Sequence, residues 1–96
     1  MTTYRRIGAV TTAIDVLNFL AEQPGPVPGK DVATGLDVAY GKIMCHLATL
    51  EDARFVSRIG EHYELGQGAA LLWAKKKAQL SGKVSRCRDQ LNRLEG

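Results

Sequence analysis

A mainly helical α+β domain with a long carboxy-terminal helix is the fold class that this sequence predicts. Three observations predict it. Apolar residues recur at helical spacing in three stretches before Ala53. Two short alternating runs then flank Gly60-Glu61, a hairpin signature. From Ala69 onward apolar residues return every three or four positions to the end.

The first helix is carried by "TTAIDVLNFLAEQ". Val10, Ile14, Leu17 and Ala21 form an apolar stripe, widened by Ala13, Val16 and Leu20. Thr12 is the expected cap, with Asp15 in the first turn. "PGPVPG", Pro24 to Gly29, stops the helix, because no helix runs through that density of Pro and Gly.

A short second helix is expected over about Lys30–Thr34, with Val32 and Ala33 inward. Gly35 would end it in a left-handed conformation, Leu36 would plug the corner and Asp37 would cap the next helix. That third helix is expected over about Ala39–Ala53. Ile43, Leu47 and Leu50 form its buried stripe at i, i+4 and i+7.

"RFVSRIGEHYELG" reads as two strands around Gly60-Glu61, with glycine first, as a type II′ turn requires. That register pairs Val56 with Leu65 and Arg58 with Tyr63 on one face. Val56 and Leu65 would cover the helices, with Arg58 over the Tyr63 ring. In the last helix Trp73, Leu80, Cys87 and Leu94 recur every seven residues, with Val84 and Leu91 between them. This 4-3 alternation is a coiled-coil seam, and Lys77 occupies the matching position one heptad earlier. Gly82 costs about 1 kcal/mol in a helix interior and marks the point where a kink or split is expected.

Bulk properties agree with one small folded unit. The chain has 96 residues and is 45% hydrophobic. Its charge is uneven. Residues 1–66 hold six Lys/Arg and eight Asp/Glu, so 6 − 8 = −2, while residues 67–96 hold seven and two, so 7 − 2 = +5. The basic tail suits an acidic partner or solubility. Cys45 and Cys87 form no C-x-x-C pair, which suits free thiols in a reducing cytoplasm. Arg5-Arg6 ahead of "IGAVTTAIDVLNFLA" superficially resembles a signal peptide. Asp15 and Asn18 interrupt it, so an amphipathic helix is the better reading, and no run spans a membrane.

Three helices, a hairpin and a long helix make the winged helix-turn-helix layout. "AIDVLNFLAEQPGPV", "DVATGL", "HLATLEDARFV" and "YELG", in that order, resemble the DNA-binding domain of the IclR-type bacterial transcription regulators. The resemblance covers about residues 12–66. It implies a dimeric regulator whose third helix enters the major groove. That family carries a large C-terminal ligand domain, whereas some 30 residues follow the wing here, so no small-molecule effector is expected. The heptad seam would take over dimerisation. Three departures stand out. "LDVAYG" is about two residues longer than the family's turn. Lys42, Met44 and Cys45 stand where the family commonly has Ser/Thr, His and Arg. The short wing carries Glu61, which repels phosphate, at its tip.

At 100° per residue the outer face of the third helix carries Gly41, Lys42, Cys45, Ala48, Thr49 and Asp52. Lys42 would reach a guanine edge or a phosphate, and Thr49 would donate, accept or touch a thymine methyl. Cys45 lies between them. Tyr40 and Lys30 are phosphate candidates at two helix starts, and Arg58 is one on the wing stem. Arg5 and Arg6 form a candidate basic arm. Each of these is otherwise an ordinary solvated side chain. His46 is expected to pack at the boundary of the stripe. Cys45, His46, His62 and Cys87 fit no usual zinc spacing, and no cofactor is expected. There is no P-loop, dinucleotide fingerprint or nucleophile–base motif, so an enzyme is not expected. Lys75, Lys76 and Lys77 are either solvated coiled-coil positions or extra DNA contacts.

The expected organisation is a winged helix-turn-helix domain over residues 1–66 and a dimerisation helix over 67–96. Trp73, Leu80, Val84, Cys87, Leu91 and Leu94 would form the interface. The expected function is sequence-specific binding of double-stranded DNA by a cytoplasmic homodimer acting as a small regulator. A winged-helix protein-interaction module and a nonspecific DNA-coating protein are the alternatives.

Overall fold

The structure, a computed structural model, describes residues 3–95. The expected domain limits at residues 1 and 96 therefore lie outside the described residues. In chain order the elements are α1 (Gly8–Ala21), β1 (Val27–Pro28), α2 (Gly29–Leu36), α3 (Tyr40–Asp52), β2 (Val56–Ile59), β3 (His62–Leu65) and α4 (Gln67–Glu95). This is a winged helix with a carboxy-terminal helix.

α1 starts four residues before the expected cap. Ile7 precedes it with no side-chain cap, and the Thr12 hydroxyl donates to Gly8 O at 3.1 Å instead. Its buried stripe is Val16 and Leu20, with Ala13 and Leu17 half-buried, while Val10 and Ile14 face solvent. The helix is apolar on two adjoining faces, so periodicity alone did not choose between them.

α2 runs two residues further than expected. Gly35 lies inside it, because the Phe19 ring fills the space a Cβ would need, with Phe19 Cζ 2.8 Å from that point. The left-handed residue is Asp37, at φ 55° and ψ 48°. Its N–H donates to Thr34 O, and the Val38 N–H donates to Ala33 O, the paired bonds of a Schellman closure. Asp37 thus closes α2 and does not cap α3, which follows Ala39 without a side-chain cap. Of "LDVAYG", Leu36 ends α2, Asp37 to Ala39 form the turn, and Tyr40 and Gly41 begin α3.

α3 buries Ile43 and Leu47 fully and Leu50 partly. Arg54 closes it at φ 67°, with Arg54 N–H donating to Glu51 O and Phe55 N–H to Leu50 O. The hairpin has the expected register, Val56 opposite Leu65 and Arg58 opposite Tyr63. Gly60 sits at φ 63° and Glu61 is not left-handed, which fits the type II′ turn. The inward residue of β3 is Tyr63, a core member, and Leu65 is left exposed at the sheet's end. β3 also pairs with β1, Val27 opposite Tyr63 and Pro28 opposite His62, giving sheet order β1-β3-β2. A two-residue strand has no readable period, so β1 was not foreseen.

The core is one cluster: Val16, Leu20, Val32, Ala33, Ile43, Leu47, Val56 and Tyr63. α4 stands outside it, with no buried residue along its 29 positions. It is continuous through Gly82, so the helix is not split there. Its start is tied to the winged unit by main-chain bonds, Gly66 N–H to Phe55 O and Gly68 N–H to Arg54 O, both 2.8 Å. A Cβ on Gly66 or Gly68 would lie 2.5 or 2.6 Å from Arg54 O, so glycine is what permits this approach. The free-standing helix gives a radius of gyration of 18.9 Å, against about 12.5 Å for a compact chain of this length.

Candidate nucleic-acid interface

In a helix-turn-helix the reading surface is whatever α3 leaves uncovered. Ile43 and Leu47 point into the core, so helical geometry turns Tyr40, Gly41, Lys42, Cys45, Ala48, Thr49 and Asp52 outward, and all are exposed. His46 is half-buried at the edge of the stripe, as its position predicts.

The outward face is electrically lopsided. Tyr40 and Lys42 sit at the amino end of α3, where the helix dipole is positive. Glu51 and Asp52 occupy the carboxyl end. An approaching phosphate is therefore favoured at the Tyr40 end and disfavoured at the other.

A groove of about 390 Å³ runs between that end and the wing. It is lined by Lys30, Tyr40 and Met44 from the helices and by Arg58, Glu61 and His62 from the wing, among others. Lys30, Tyr40 and Arg58, far apart in sequence, thus meet around one concavity. β1 brings this about, because pairing Pro28 with His62 sets the start of α2 beside the wing. A second depression of about 680 Å³, between α2 and α3, is lined by Lys30, Ala33, Thr34, Asp37, Val38 and Tyr40. Tyr40 and Lys30 stand on the border of both.

The other candidates are placed differently. Lys42, Cys45 and Thr49 stand on the open face of α3 and do not line the groove. The Thr49 hydroxyl donates to Cys45 O at 2.9 Å, so its proton is committed and its methyl and lone pairs remain available. Arg58 is the cross-strand partner of Tyr63 and lines the groove with it, and its Nε also lies 3.6 Å from Glu51 Oε2. Glu51 reaches it because β2 follows α3 closely and returns past its last turn. Arg5 and Arg6 lie in the non-helical residues before α1, where Arg6 Nη1 donates to Tyr4 O at 3.4 Å. Nothing in the structure brings them to the groove. Met44 and His62 also line the groove, whereas sequence reading names Met44 only at a family reading position and His62 only in a rejected zinc set. Only the β1–β3 pairing, which is tertiary information, would have identified them.

Other chemistry is thin. Among the described residues no three His, Cys, Asp or Glu side chains gather as a metal site. Cys45 and Cys87 are free and exposed. No described helix is long and apolar enough to cross a membrane.

Comparison with known proteins matches the segment that carries this surface. The IclR helix-turn-helix domain matches residues 9–60. Among solved structures, an IclR transcriptional regulator from Alicyclobacillus acidocaldarius is similar at 27% identity and TM-score 0.71, over 75% of this chain and 30% of that one. HmgR of Pseudomonas aeruginosa is similar in fold, at 21% identity and TM-score 0.67, over 72% of this chain and 29% of that one. The chain thus spans about a third or less of the length of either solved protein. No curated protein sequence matches it. The matched segment takes in α1 through β2, the whole helix-turn-helix and the first wing strand. With more than half of its residues inside that match, the chain belongs to the IclR helix-turn-helix domain family.

Proposed function

We propose that this chain regulates transcription by binding double-stranded DNA as a homodimer, one winged unit to each half-site of a pseudo-palindrome. The observation that carries the reading is the bare outer face of α3, with Lys42 on it, Lys30 and Tyr40 at its positive end, and Arg58 lining the adjoining groove from the wing. Lys42, Thr49 and Cys45 would face base edges. Lys30, Tyr40 and Arg58 would hold phosphates, and Arg5 and Arg6 would follow the backbone next to α1.

The seam on α4 supports the dimer. Trp73, Leu80, Val84, Cys87, Leu91 and Leu94 fall on one side of an unbroken helix, and nothing among the described residues covers them. Val84 alternating with Leu80 favours two strands, and the lone polar seam residue Lys77 fixes register at some loss of stability. The two units are then residues up to 66 for reading and residues from 67 for pairing.

Selection of bound duplexes from a random library at low salt tests the proposal. Enrichment of a two-fold symmetric motif is the expected result. Binding without enrichment makes the chain a nonspecific coating protein, and no binding at about 50 mM salt defeats the reading. A protein-docking role is favoured by the acidity of Glu51, Asp52 and Glu61 around the reading surface, and the last outcome would support it.

Two substitutions probe the surface directly. Lys42→Ala should weaken binding to the selected site by about 5- to 150-fold if it reads a guanine edge. It should also relax the preference at one base pair, measured by competition with single-base variants. Glu51→Gln should act in the opposite direction. An exposed ion pair is worth little by itself, so Arg58 can exchange Glu51 for a phosphate. Removing the competing carboxylate should tighten binding about two- to fivefold. The gain should disappear when Arg58→Ala is added, which a titration of all four proteins measures.

A further inference from the structure

The seven cations of α4 are not spread around its solvent side. At about 100° per residue, Lys75, Lys76, Lys83, Arg86 and Arg93 fall within an arc of about 100°. The seam residues adjoin that arc, and Lys77 and Arg88 lie across the seam from it. The remaining solvent arc carries Ala74, Ala78, Ser81, Ser85 and Asn92 and no cation. A helix charged only for solubility has no reason to leave half of its wet surface without a cation. Asp89 is the one acid at the edge of the basic arc, beside Arg86 and Arg93.

The structure adds two facts to this pattern. The helix is unbroken at Gly82, so the five cations keep one line over about 27 Å from Lys75 to Arg93. None of the five is in an ion pair among the described residues, where the single pair is Arg58 with Glu51. An aligned row of unpaired cations beside an apolar seam stays open to a polyanion even when the seam is closed by a partner.

We infer that this flank of α4 is a second DNA surface, which tracks the phosphate backbone outside the bases read by α3. The inference rests on the DNA-binding reading above and extends it. Twenty-seven ångströms correspond to about eight base pairs of duplex axis, room for one phosphate per cation. The contact is with backbone alone, so it adds affinity and salt dependence without sequence preference.

The test is the triple variant Lys75→Gln, Lys83→Gln, Arg86→Gln, which leaves the seam intact and uses a good helix former. Binding is measured as a function of salt on a 40-base-pair duplex and on a short duplex trimmed to the two half-sites, both carrying the same selected site. If selection finds no motif, random sequence serves. On the long duplex the variant's log–log salt slope should be shallower by about 2.7 for each protomer, about 5.4 for the bound dimer, at about 0.9 per lost phosphate contact. Affinity near 100 mM salt should fall about tenfold or more. On the short duplex the variant and the parent should nearly coincide. The charge-conserving variant Lys75→Arg, Lys83→Arg, Arg86→Lys should restore the slope, which a loss of folding would not allow. An unchanged slope on the long duplex, with the parent binding normally, would overturn this inference alone. A parent protein that binds neither duplex would overturn the DNA reading and this inference together. A variant that keeps its DNA slope but loses retention on phosphatidylserine vesicles would reassign the flank to a membrane surface.

Discussion

Leu47→Ala should leave the winged unit largely unfolded at moderate temperature. Leu47 is completely buried on α3, and its Cδ1 lies 3.3 Å from where a Gly29 Cβ would be. Met44 Sδ and the Tyr63 ring close the same spot, at 2.7 and 3.8 Å from that point. Truncation opens a cavity where α2, α3 and β3 meet, at a cost of about 2–5 kcal/mol. A unit of some 60–70 residues holds only about 3–10 kcal/mol in total. At about 4–8 °C per kcal/mol, Tm should fall by at least about 8 °C, measured by thermal denaturation in far-ultraviolet circular dichroism. Val10→Ala is the informative contrast. Sequence periodicity placed Val10 in the buried stripe, but it is 56% exposed. Its substitution should change stability by no more than about 0.5 kcal/mol, and a large loss there would mean that the orientation of α1 is wrong.

Leu91→Asp should separate the proposed dimer while leaving each chain folded. Leu91 is 54% exposed and α4 buries nothing, so the isolated chain does not depend on it. In a seam the substitution removes two leucine burials, at about 1.5–3 kcal/mol each, and brings carboxylates into an apolar layer. Dimer affinity should drop by at least about a thousandfold, seen by sedimentation. DNA affinity for a two-fold site should fall by about 10²–10⁴, since the second half-site is no longer tethered to the first. The circular dichroism spectrum should keep the core's melting transition. An unchanged sedimentation coefficient would remove the seam from the proposal and leave the winged unit untouched.

The parts of this fold that were legible in sequence are those set by local rules. The burial of Ile43 and Leu47, the stop at Pro24 to Gly29 and the register set by Gly60 all follow from residues within a few positions of one another. Features that depend on distant residues were not legible. Gly35 signals a helix end until Phe19 is seen packed against it, which moves the end to Asp37. α1 offered two apolar faces, and only the surrounding helices select Val16 and Leu20. In the candidate site, the open face of α3 follows from the position of its stripe. The meeting of Lys30, Tyr40 and Arg58, and the capture of Arg58 by Glu51, depend on β1 and β2, which bring separate segments together.

The two hydrogen bonds at the base of α4 have a mechanical consequence. They join main chain to main chain at the point where α3 ends, at Arg54 and Phe55. No flexible side chain intervenes to absorb a displacement. α4 then extends about 43 Å from this anchorage, at 1.5 Å for each of its 29 residues. A tilt of about 5° at the base displaces the far end by about 4 Å. In the opposite direction, a force applied near Leu94 acts on the last turn of α3 through a long lever with a short output arm. Whatever grips the far end of α4 therefore gains fine angular control over how α3 is presented.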